Sequence, residues 1–162
     1  FNAQSPLEAL AADPSGKRFA AGGWDAMARI WDRETGEVIQ SFKHGGEYVN
    51  AVTLSPDGQY LATGSNDPAG YIQIWNIATG KRVKVIKGHD DEVLSLVYSK
   101  DGKRLLSSSY DKTARLWDVD TGNEVFSFRG KRAFHVVKFA KDGTTLAAGG
   151  RDGVVRVWEL TK

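Results

Sequence analysis

The sequence predicts an all-β fold built from four tandem repeats. Tryptophans recur at intervals of 44, 42 and 41 residues, at Trp31, Trp75, Trp117 and Trp158. A glycine stands 15 to 17 residues before each of them, at Gly16, Gly58, Gly102 and Gly143. Two markers in one register indicate repeats of a single structural unit. No window keeps apolar residues at helical spacing for more than a turn or two, so helix has little support.

The strands of each repeat can be assigned in order. A first apolar run leads into a glycine turn of the kind that closes a hairpin, as in "VNAVTLS" and "VLSLVYS". A second run follows, as in "YLATGS" and "RLLSSS", and a turn with Asp connects it to a third run, "IQIWN" or "ARLWD". After three of the tryptophans a Thr-Gly turn leads to a fourth run, such as "EVFSF". Four antiparallel strands at this period are typical of a β-propeller blade.

Composition limits the classes of function. The 162 residues suffice for one ordinary domain core. With 26% charged and 41% hydrophobic residues, the chain resembles neither a disordered tail nor a membrane protein. No apolar run approaches the ~20 residues that span a bilayer, so no membrane partner is expected. The first residue is Phe1, from which we expect a start inside a longer gene product.

Charge and cysteine content exclude further classes. A net charge of +2 is too small to attract nucleic acid, so no nucleic-acid partner is expected. The absence of cysteine excludes disulfides, thiolate zinc sites and cysteine nucleophiles. The sequence "HDDE" at residues 89–92 could suggest a metal site, but consecutive residues on an extended chain point to alternate sides. We therefore predict no metal and no cofactor; the compartment stays undecided, with a slight preference for the cytoplasm.

At these markers the chain resembles the WD-repeat family. The resemblance lies in the pairs Gly88-His89, Trp31-Asp32 and Trp117-Asp118, with Trp75-Asn76 and Trp158-Glu159 as weaker copies. It implies a β-propeller whose blades surround a central channel and serve mostly as a rigid platform for protein partners. The expected function is therefore a non-catalytic protein-interaction scaffold. Two alternatives stay open: a hydrolase-like enzyme that uses polar residues of the channel, and a purely architectural domain of a larger protein.

The repeats are expected at about 1–44, 45–87, 88–128 and 129–162, with the outer strand missing from the fourth. The second repeat has two extra residues within "SNDPAGY". About four WD repeats would make the chain part of, or half of, a larger propeller. The other blades would come from the same longer protein, or from a second copy in a homodimer of half propellers. Uncovered blade faces should be apolar.

The resemblance also implies a structural tetrad in the third repeat, formed by His89, Ser107, Asp111 and Trp117. A carboxylate would orient the imidazole, and a hydroxyl would link it to the indole N–H. The rival interpretation is a Ser-His-Asp catalytic set, but no nucleophile-elbow glycine pattern surrounds Ser107. The other repeats lack parts of the set. Replacements stand at the His position (Ala3, Gly45, Gly130) and at the Ser position (Ala21, Ala148), while Thr63 keeps a hydroxyl.

The predicted partner-binding residues lie on one face of the ring. In the family, the residue before the turn Asp projects onto that face, which here gives Trp24, Asn66, Tyr110 and Arg151. Trp, Tyr and Arg are the residue types most enriched in binding hot spots. The basic pair Lys131 and Arg132 should border the same face and suit an acidic or phosphorylated protein or peptide. Alternatively, Trp24 packs on the neighbouring blade and the basic pair belongs to a solvated loop.

Overall fold

The computed structural model describes residue 3 and residues 5–160 and contains β-strands joined by turns. Within these residues no helix is long and apolar enough to cross a membrane. The strands are β1 (Leu7–Ala12), β2 (Arg18–Gly23), β3 (Met27–Asp32), β4 (Val38–Lys43), β5 (Val49–Leu54), β6 (Tyr60–Ser65), β7 (Ile72–Asn76), β8 (Arg82–Ile86), β9 (Val93–Tyr98), β10 (Arg104–Ser109), β11 (Thr113–Asp118), β12 (Glu124–Arg129), β13 (Phe134–Phe139), β14 (Thr145–Gly150) and β15 (Val155–Glu159).

These strands form four antiparallel sheets, each a meander in chain order. Blade 1 is β1–β4, blade 2 is β5–β8, blade 3 is β9–β12, and blade 4 is β13–β15 within the described residues. The innermost strands follow one another around the assembly, because β1 packs along β5, β5 along β9, and β9 along β13. The predicted all-β propeller blades are therefore confirmed.

The turn between the first two strands of each blade explains the glycine marker. Gly102 has a φ of +72°, a backbone conformation that is sterically unfavourable for residues with a Cβ. Its amide donates to the carbonyl of Ser99, and the Ser99 hydroxyl donates to Asp101 at 2.6 Å. Asp101 also accepts the amide of Lys103 at 3.0 Å. The Ser-x-Asp-Gly sequence of blades 2 and 3 thus closes the hairpin through a local hydrogen-bond set.

The hydrophobic core lies between the blades. Each blade has a leading face, which carries its tryptophan, and a trailing face turned the other way. The leading face of blade 3 buries Leu105 and Trp117 against Ile72 and Ile74 on the trailing face of blade 2. Matching clusters join blade 1 to blade 2 and blade 3 to blade 4. A blade therefore obtains its core from its neighbours.

One close contact recurs at these junctions. A Cβ built on Gly22 would lie 2.4 Å from Cγ1 of Val49, the first residue of the next inner strand. A Cβ on Gly64 would lie 2.5 Å from Cγ1 of Val93. We call the glycine position the notch and the first inner-strand residue the insert. At the third junction the same positions hold Ser108 and Phe134, both fully buried.

The two end faces are apolar and exposed. The leading face of blade 1 has a cavity of about 280 Å³ lined by Ala3, Leu7, Leu10, Phe19, Ala21 and Trp31. Leu10 is 72% exposed there. On the trailing face of blade 4, Val155 is 70% and Val157 is 62% exposed. Both faces have the chemistry of the blade faces that are buried inside the protein.

The Gly64→Ala substitution should destabilise the protein by about 1 to 3 kcal/mol, because the added methyl group overlaps Val93 in a packed junction. The free energy of unfolding from urea titration measures the effect. Combining it with Val93→Ala should cost less than the two single changes together, because the smaller insert relieves the overlap. Additive costs would show that the notch does not hold Val93.

Candidate functional site

The structure brings the four predicted tetrad residues of blade 3 into one chain of hydrogen bonds. His89, just before β9, places Nδ1 2.7 Å from Asp111 Oδ2 and Nε2 2.7 Å from Ser107 Oγ. The Trp117 indole Nε1 donates to the same Ser107 Oγ at 2.7 Å. Ser107 is fully buried on β10, and Asp111 lies in the turn that leads to β11. These hydrogen bonds link the segment just before the inner strand β9 to the two central strands, β10 and β11.

Asp111 is held as a carboxylate by its surroundings. Burial by itself would raise its pKa, but hydrogen bonds and the charge from His89, together with donors from Thr113 and the amide of Asp90, hold the pKa of Asp111 far below its ordinary value of 3.8. The Thr113 hydroxyl donates to Asp111 Oδ1 at 2.6 Å, and the Thr113 amide donates to the same oxygen at 2.7 Å. An ionised Asp111 therefore stabilises the folded protein.

An arginine that sequence reasoning missed supports the turn Asp. In blade 3, Arg115 lies 3.5 Å from Asp111 and donates to Thr113 at 3.0 Å. Arg29 pairs with Asp25 at 2.6 Å in blade 1, and Arg156 pairs with Asp152 at 2.7 Å in blade 4. The sequence contains a signal for this arginine. In these three repeats an Arg stands two residues before the tryptophan, and an Asp stands four residues before that Arg.

Blade 2 uses a different set of contacts. The Trp75 indole donates to the Thr63 hydroxyl at 2.9 Å, which reproduces one link of the tetrad. His44 is buried, with its ring nitrogens 3.1 and 3.3 Å from the carbonyl oxygens of Gly45 and Thr63. Burial lowers the pKa of His44, so the neutral ring is favoured. Asp67 instead accepts the amide of Ala69 at 2.8 Å and so holds the inserted turn.

Three of the six predicted binding residues lie in two places. Trp24 lies between blades 1 and 2, and Lys131 and Arg132 lie in the loop before β13. Trp24 is 52% exposed, stacks at a tilt on Tyr48 of blade 2 with 5.2 Å between ring centroids, and donates its indole N–H to the carboxylate of Glu8. Lys131 and Arg132 are exposed, and the neighbouring Gly130 amide donates to the carbonyl of Lys112 at 2.8 Å. The basic loop therefore lies beside the turn that carries Tyr110.

Tyr110 and Arg151 form one unit at the junction of blades 3 and 4. The Arg151 Nη2 donates to the Tyr110 hydroxyl at 2.7 Å, and its guanidinium lies 5.0 Å from the centre of the Tyr110 ring. His135 meets the same ring edge-on at 5.7 Å. Asn66 differs from these residues, because its side-chain oxygen accepts the amides of Glu47 and Tyr48 at 3.0 and 2.9 Å.

The loop face carries charges of both signs. Lys112, Lys131, Arg132 and Arg151 lie at or near the junction of blades 3 and 4. The acidic residues Glu8, Glu47, Asp90, Asp91 and Glu92 precede or begin the inner strands of blades 1 to 3. Glu92 lies beside Tyr110, whose amide donates to the Glu92 carbonyl at 3.0 Å. Burial, together with the charge of Asp91, raises the pKa of Glu92. Within residue 3 and residues 5–160, no three His, Asp or Glu side chains are placed to hold a metal ion.

A family model described as "WD domain, G-beta repeat" matches residues 1–32, 36–76, 80–118 and 122–159. The chain belongs to the WD40 repeat family. The matched segments are out of phase with the blades, since residues 36–76 contain the outer strand of blade 1 and the first three strands of blade 2. The last three matched segments therefore each join two blades covalently, whereas residues 1–32 contain strands of blade 1 alone.

Curated relatives match nearly the whole chain. The small ribosomal subunit protein RACK1y of Oryza sativa subsp. japonica is 27% identical over 157 residues, which cover 92% of this chain and 46% of the relative. Pre-mRNA-processing factor 19 of Caenorhabditis elegans is 28% identical, covering 93% and 31%. The nuclear distribution protein PAC1 of Arthroderma otae is 30% identical, covering 96% and 36%. The chain spans less than half the length of these relatives.

The His89→Ala substitution should lower the free energy of unfolding by about 1 to 3 kcal/mol, because Ser107 and Asp111 lose a buried hydrogen-bond partner. His135→Ala is the matched control, since this histidine is exposed and should change stability by no more than ~0.5 kcal/mol. Urea unfolding followed by tryptophan fluorescence measures both. Equal effects of the two substitutions would contradict a structural tetrad.

Stability should depend on pH through Asp111. Its folded-state pKa lies below its unfolded value of 3.8, so its contribution is fully present above that value and is lost as the pH falls through the folded-state pKa. Asp111→Asn removes this contribution. The difference in unfolding free energy between the wild type and Asp111→Asn should therefore shrink between about pH 6 and about pH 2. A difference that stays constant over this range would contradict the assignment.

Proposed function

We propose that this WD40 chain is a non-catalytic scaffold that binds an acidic or phosphorylated peptide segment of a protein partner through its loop face. The observation that carries the proposal is the Tyr110–Arg151 unit, which stands next to the exposed Lys131 and Arg132. An aromatic ring, a guanidinium and two further cations on one rigid junction suit a negatively charged peptide.

The contacts around Arg151 support preorganisation. An arginine has five N–H donors, and the contact with Tyr110 uses Nη2. The Tyr110 ring contacts both the guanidinium and, edge-on, His135, so binding would freeze few additional side-chain rotations. Arginine also binds carboxylate and phosphate oxygens through two parallel hydrogen bonds. Arg151 is therefore proposed as the main anchor, with Lys131 and Arg132 as supporting charges.

Trp24 and Asn66 have secondary roles in this proposal. Trp24 offers a half-exposed aromatic surface at the junction of blades 1 and 2, where a longer peptide could continue across the face. Asn66 acts indirectly, because its side chain fixes the backbone of the loop that carries Glu47 and Tyr48. The acidic residues near blades 1 to 3 would favour basic residues at that end of the peptide.

The environment of Ser107 supports a scaffold over a hydrolase. The Asp111–His89–Ser107 series has the order of a catalytic triad, but the Ser107 hydroxyl is fully buried and accepts the Trp117 indole N–H. A nucleophile must reach its substrate, and this one lies inside a blade junction. The names of the relatives, a ribosomal subunit protein and a pre-mRNA-processing factor, also favour a role in assemblies.

Peptide arrays provide the test. Immobilised random peptides would be synthesised in three matched sets: one carrying a central phosphoserine, one with glutamate at that position and one with alanine. The wild-type chain should prefer the first two sets. Arg151→Ala should weaken binding of the best peptide by about 2 kcal/mol, and Tyr110→Ala should weaken it by a similar amount, as measured by calorimetry.

Lys141→Ala is the matched control, because Lys141 is an exposed cation in the turn between β13 and β14 at the opposite edge of the blade. It should leave the affinity unchanged. The melting temperatures of the Arg151→Ala and Tyr110→Ala variants should stay close to that of the wild type, since both side chains lie on the loop face. Equal binding of the three peptide sets, or unchanged affinity in both variants, would contradict the proposal.

A further inference from the structure

We propose that a cleft between blades 2 and 3, on the edge opposite the loop face, binds a guanidinium group, and that this group is an arginine side chain of a protein partner. The site is separate from the Tyr110–Arg151 unit and does not depend on the function proposed for it. Two independent observations carry the proposal. The hydroxyl of Tyr98 is buried at the cleft without a hydrogen-bond partner among the described residues. At the neighbouring junction, an arginine of the chain itself occupies the corresponding place.

The cleft lies where the turn between β5 and β6 of blade 2 meets the turn between β9 and β10 of blade 3. Its volume is about 480 Å³. Blades 1 and 4 flank this junction, so the cleft lies inside the row of blades. Its walls carry two aromatic hydroxyl side chains and three carboxylates: Tyr60, Tyr98, Asp57, Asp101 and Asp120. The cleft is therefore lined by groups that accept hydrogen bonds.

Tyr98 is the last residue of β9 and pairs with Leu105 of β10. The residues at the same place in the other inner strands are Ala12, Leu54 and Phe139, which are all apolar. Packing at this place therefore does not require a hydroxyl. Tyr98 is only 7% exposed, and leaving a buried hydroxyl unpaired costs free energy. A ligand in the cleft whose wall Tyr98 forms would supply the partner.

The junction of blades 1 and 2 shows which group fits this place. Arg18 in β2 corresponds to Tyr60 in β6, because each pairs with the residue that follows the tryptophan of its blade. The Arg18 guanidinium pairs with Asp13 at 3.0 Å. It also crosses to blade 2, where Nη2 donates to the carbonyl of Gly58 at 2.9 Å. At this junction a guanidinium from within the chain thus bridges two blades.

The junction of blades 2 and 3 has the same backbone without the arginine. A Cβ built on Gly58 would lie 2.4 Å from Nη2 of Arg18. A Cβ on the equivalent Gly102 would meet Pro56 as its nearest neighbour, at an ordinary 3.5 Å. Tyr60 has no cation to place beside the Gly102 turn. An arginine from another molecule would therefore find here the kind of turn that Arg18 contacts.

The junction of blades 3 and 4 differs in both respects. Its cleft is lined by Arg104, at the place of Tyr60, and by Phe139, at the place of Tyr98. Arg104 pairs with Asp118 of its own blade. This cleft therefore already contains a guanidinium and has no hydroxyl at the place of Tyr98. The proposed site is specific to the junction of blades 2 and 3.

The cleft carries more negative than positive charge. One cation, Lys103, lines it together with the three carboxylates, and Lys84 of the outer strand β8 donates to the carbonyl of Val119 beside them at 2.6 Å. Hydrogen bonds from the Ser99 hydroxyl and the Lys103 amide lower the pKa of Asp101, so this carboxylate stays ionised at neutral pH. Three carboxylates against two ammonium groups leave one net negative charge, which favours a cation.

The hydrogen-bonding groups suit a guanidinium in particular. A guanidinium has five N–H donors in one plane and no acceptor. Burial, together with the charge of Asp57, raises the pKa of Tyr98, so its hydroxyl keeps its proton and offers lone pairs to such a donor. The half-buried Tyr60 supplies a ring on which a guanidinium can stack. A cleft of about 480 Å³ is larger than one guanidinium needs, which leaves room for the peptide that carries it.

A nuclear magnetic resonance titration of the 162-residue chain tests the site. The probes are blocked tripeptides with glycine at both ends and arginine, lysine or citrulline in the middle. The arginine peptide should shift the amide signals of Gly102 and Asp120 and bind at least about threefold more tightly than the lysine peptide. The citrulline peptide, which has nearly the same shape but no charge, should leave these signals unchanged. Methylguanidinium, which lacks a peptide backbone, should bind more weakly than the arginine peptide.

Two outcomes of the titration would overturn the proposal. Equal binding of the arginine and citrulline peptides would show that the cleft does not recognise a cation. Equal affinity for methylguanidinium and the arginine peptide would show that a small guanidinium compound, rather than a protein partner, is the ligand.

Variants of the two tyrosines make the test specific. Tyr98→Phe should weaken binding of the arginine peptide at least about threefold while the melting temperature stays the same or rises, because an unpaired buried hydroxyl is removed. Tyr60→Arg should abolish binding, since the new side chain would occupy the cleft as Arg18 does at its own junction. Tyr71→Phe is the matched control, because Tyr71 lies just before β7, away from the cleft, and it should change neither quantity. Unchanged affinity or a lower melting temperature of Tyr98→Phe would overturn the proposal, as would a folded Tyr60→Arg variant that still binds the peptide.

Discussion

The packing of one blade face on the next is the constraint on which the rest of this structure depends. A single four-stranded sheet of this size has few means of burying its own apolar residues, and its largest buried side chains, Trp117 among them, lie between sheets. The notch at Gly64 lets Val93 approach closely enough for this contact. The spacing of the repeats, the turn glycines and the tetrad all serve to present each face to its neighbour.

The tetrad and the loop face follow from that constraint. His89, Ser107 and Trp117 fix the angle at which the inner strand of blade 3 meets its central strands. With the strands fixed, the turns at their ends are fixed as well, and Tyr110 and Arg151 project from two such turns at one junction. A rigid junction that carries polar loops is a general way to build a recognition surface without a deep cavity.

Much of the fold could be predicted from the sequence, because the same strand and turn residues recur in all four repeats. Trp31, Gly16 and their counterparts mark strands and turns whose chemistry is local. The arginine that supports the turn Asp in blades 1, 3 and 4 was equally visible, because the spacing of Arg29 from Asp25 and Trp31 recurs in the sequence. The use of His44 in blade 2 was harder to predict, since its contacts with Gly45 and Thr63 depend on how two blades meet.

Native-state hydrogen exchange tests most directly whether stability resides in the contacts between blades. The inner strands β5 and β9 are packed on blades at both sides, whereas the outer strands β4, β8 and β12 expose residues such as Val38, Val83 and Phe126. Amides of β5 and β9 should therefore exchange only when the protein unfolds globally, which has the largest free energy of opening. Amides of the outer strands should exchange through local opening, which has a smaller free energy. Outer strands as well protected as β5 and β9 would show that each sheet is stable by itself and would contradict this account.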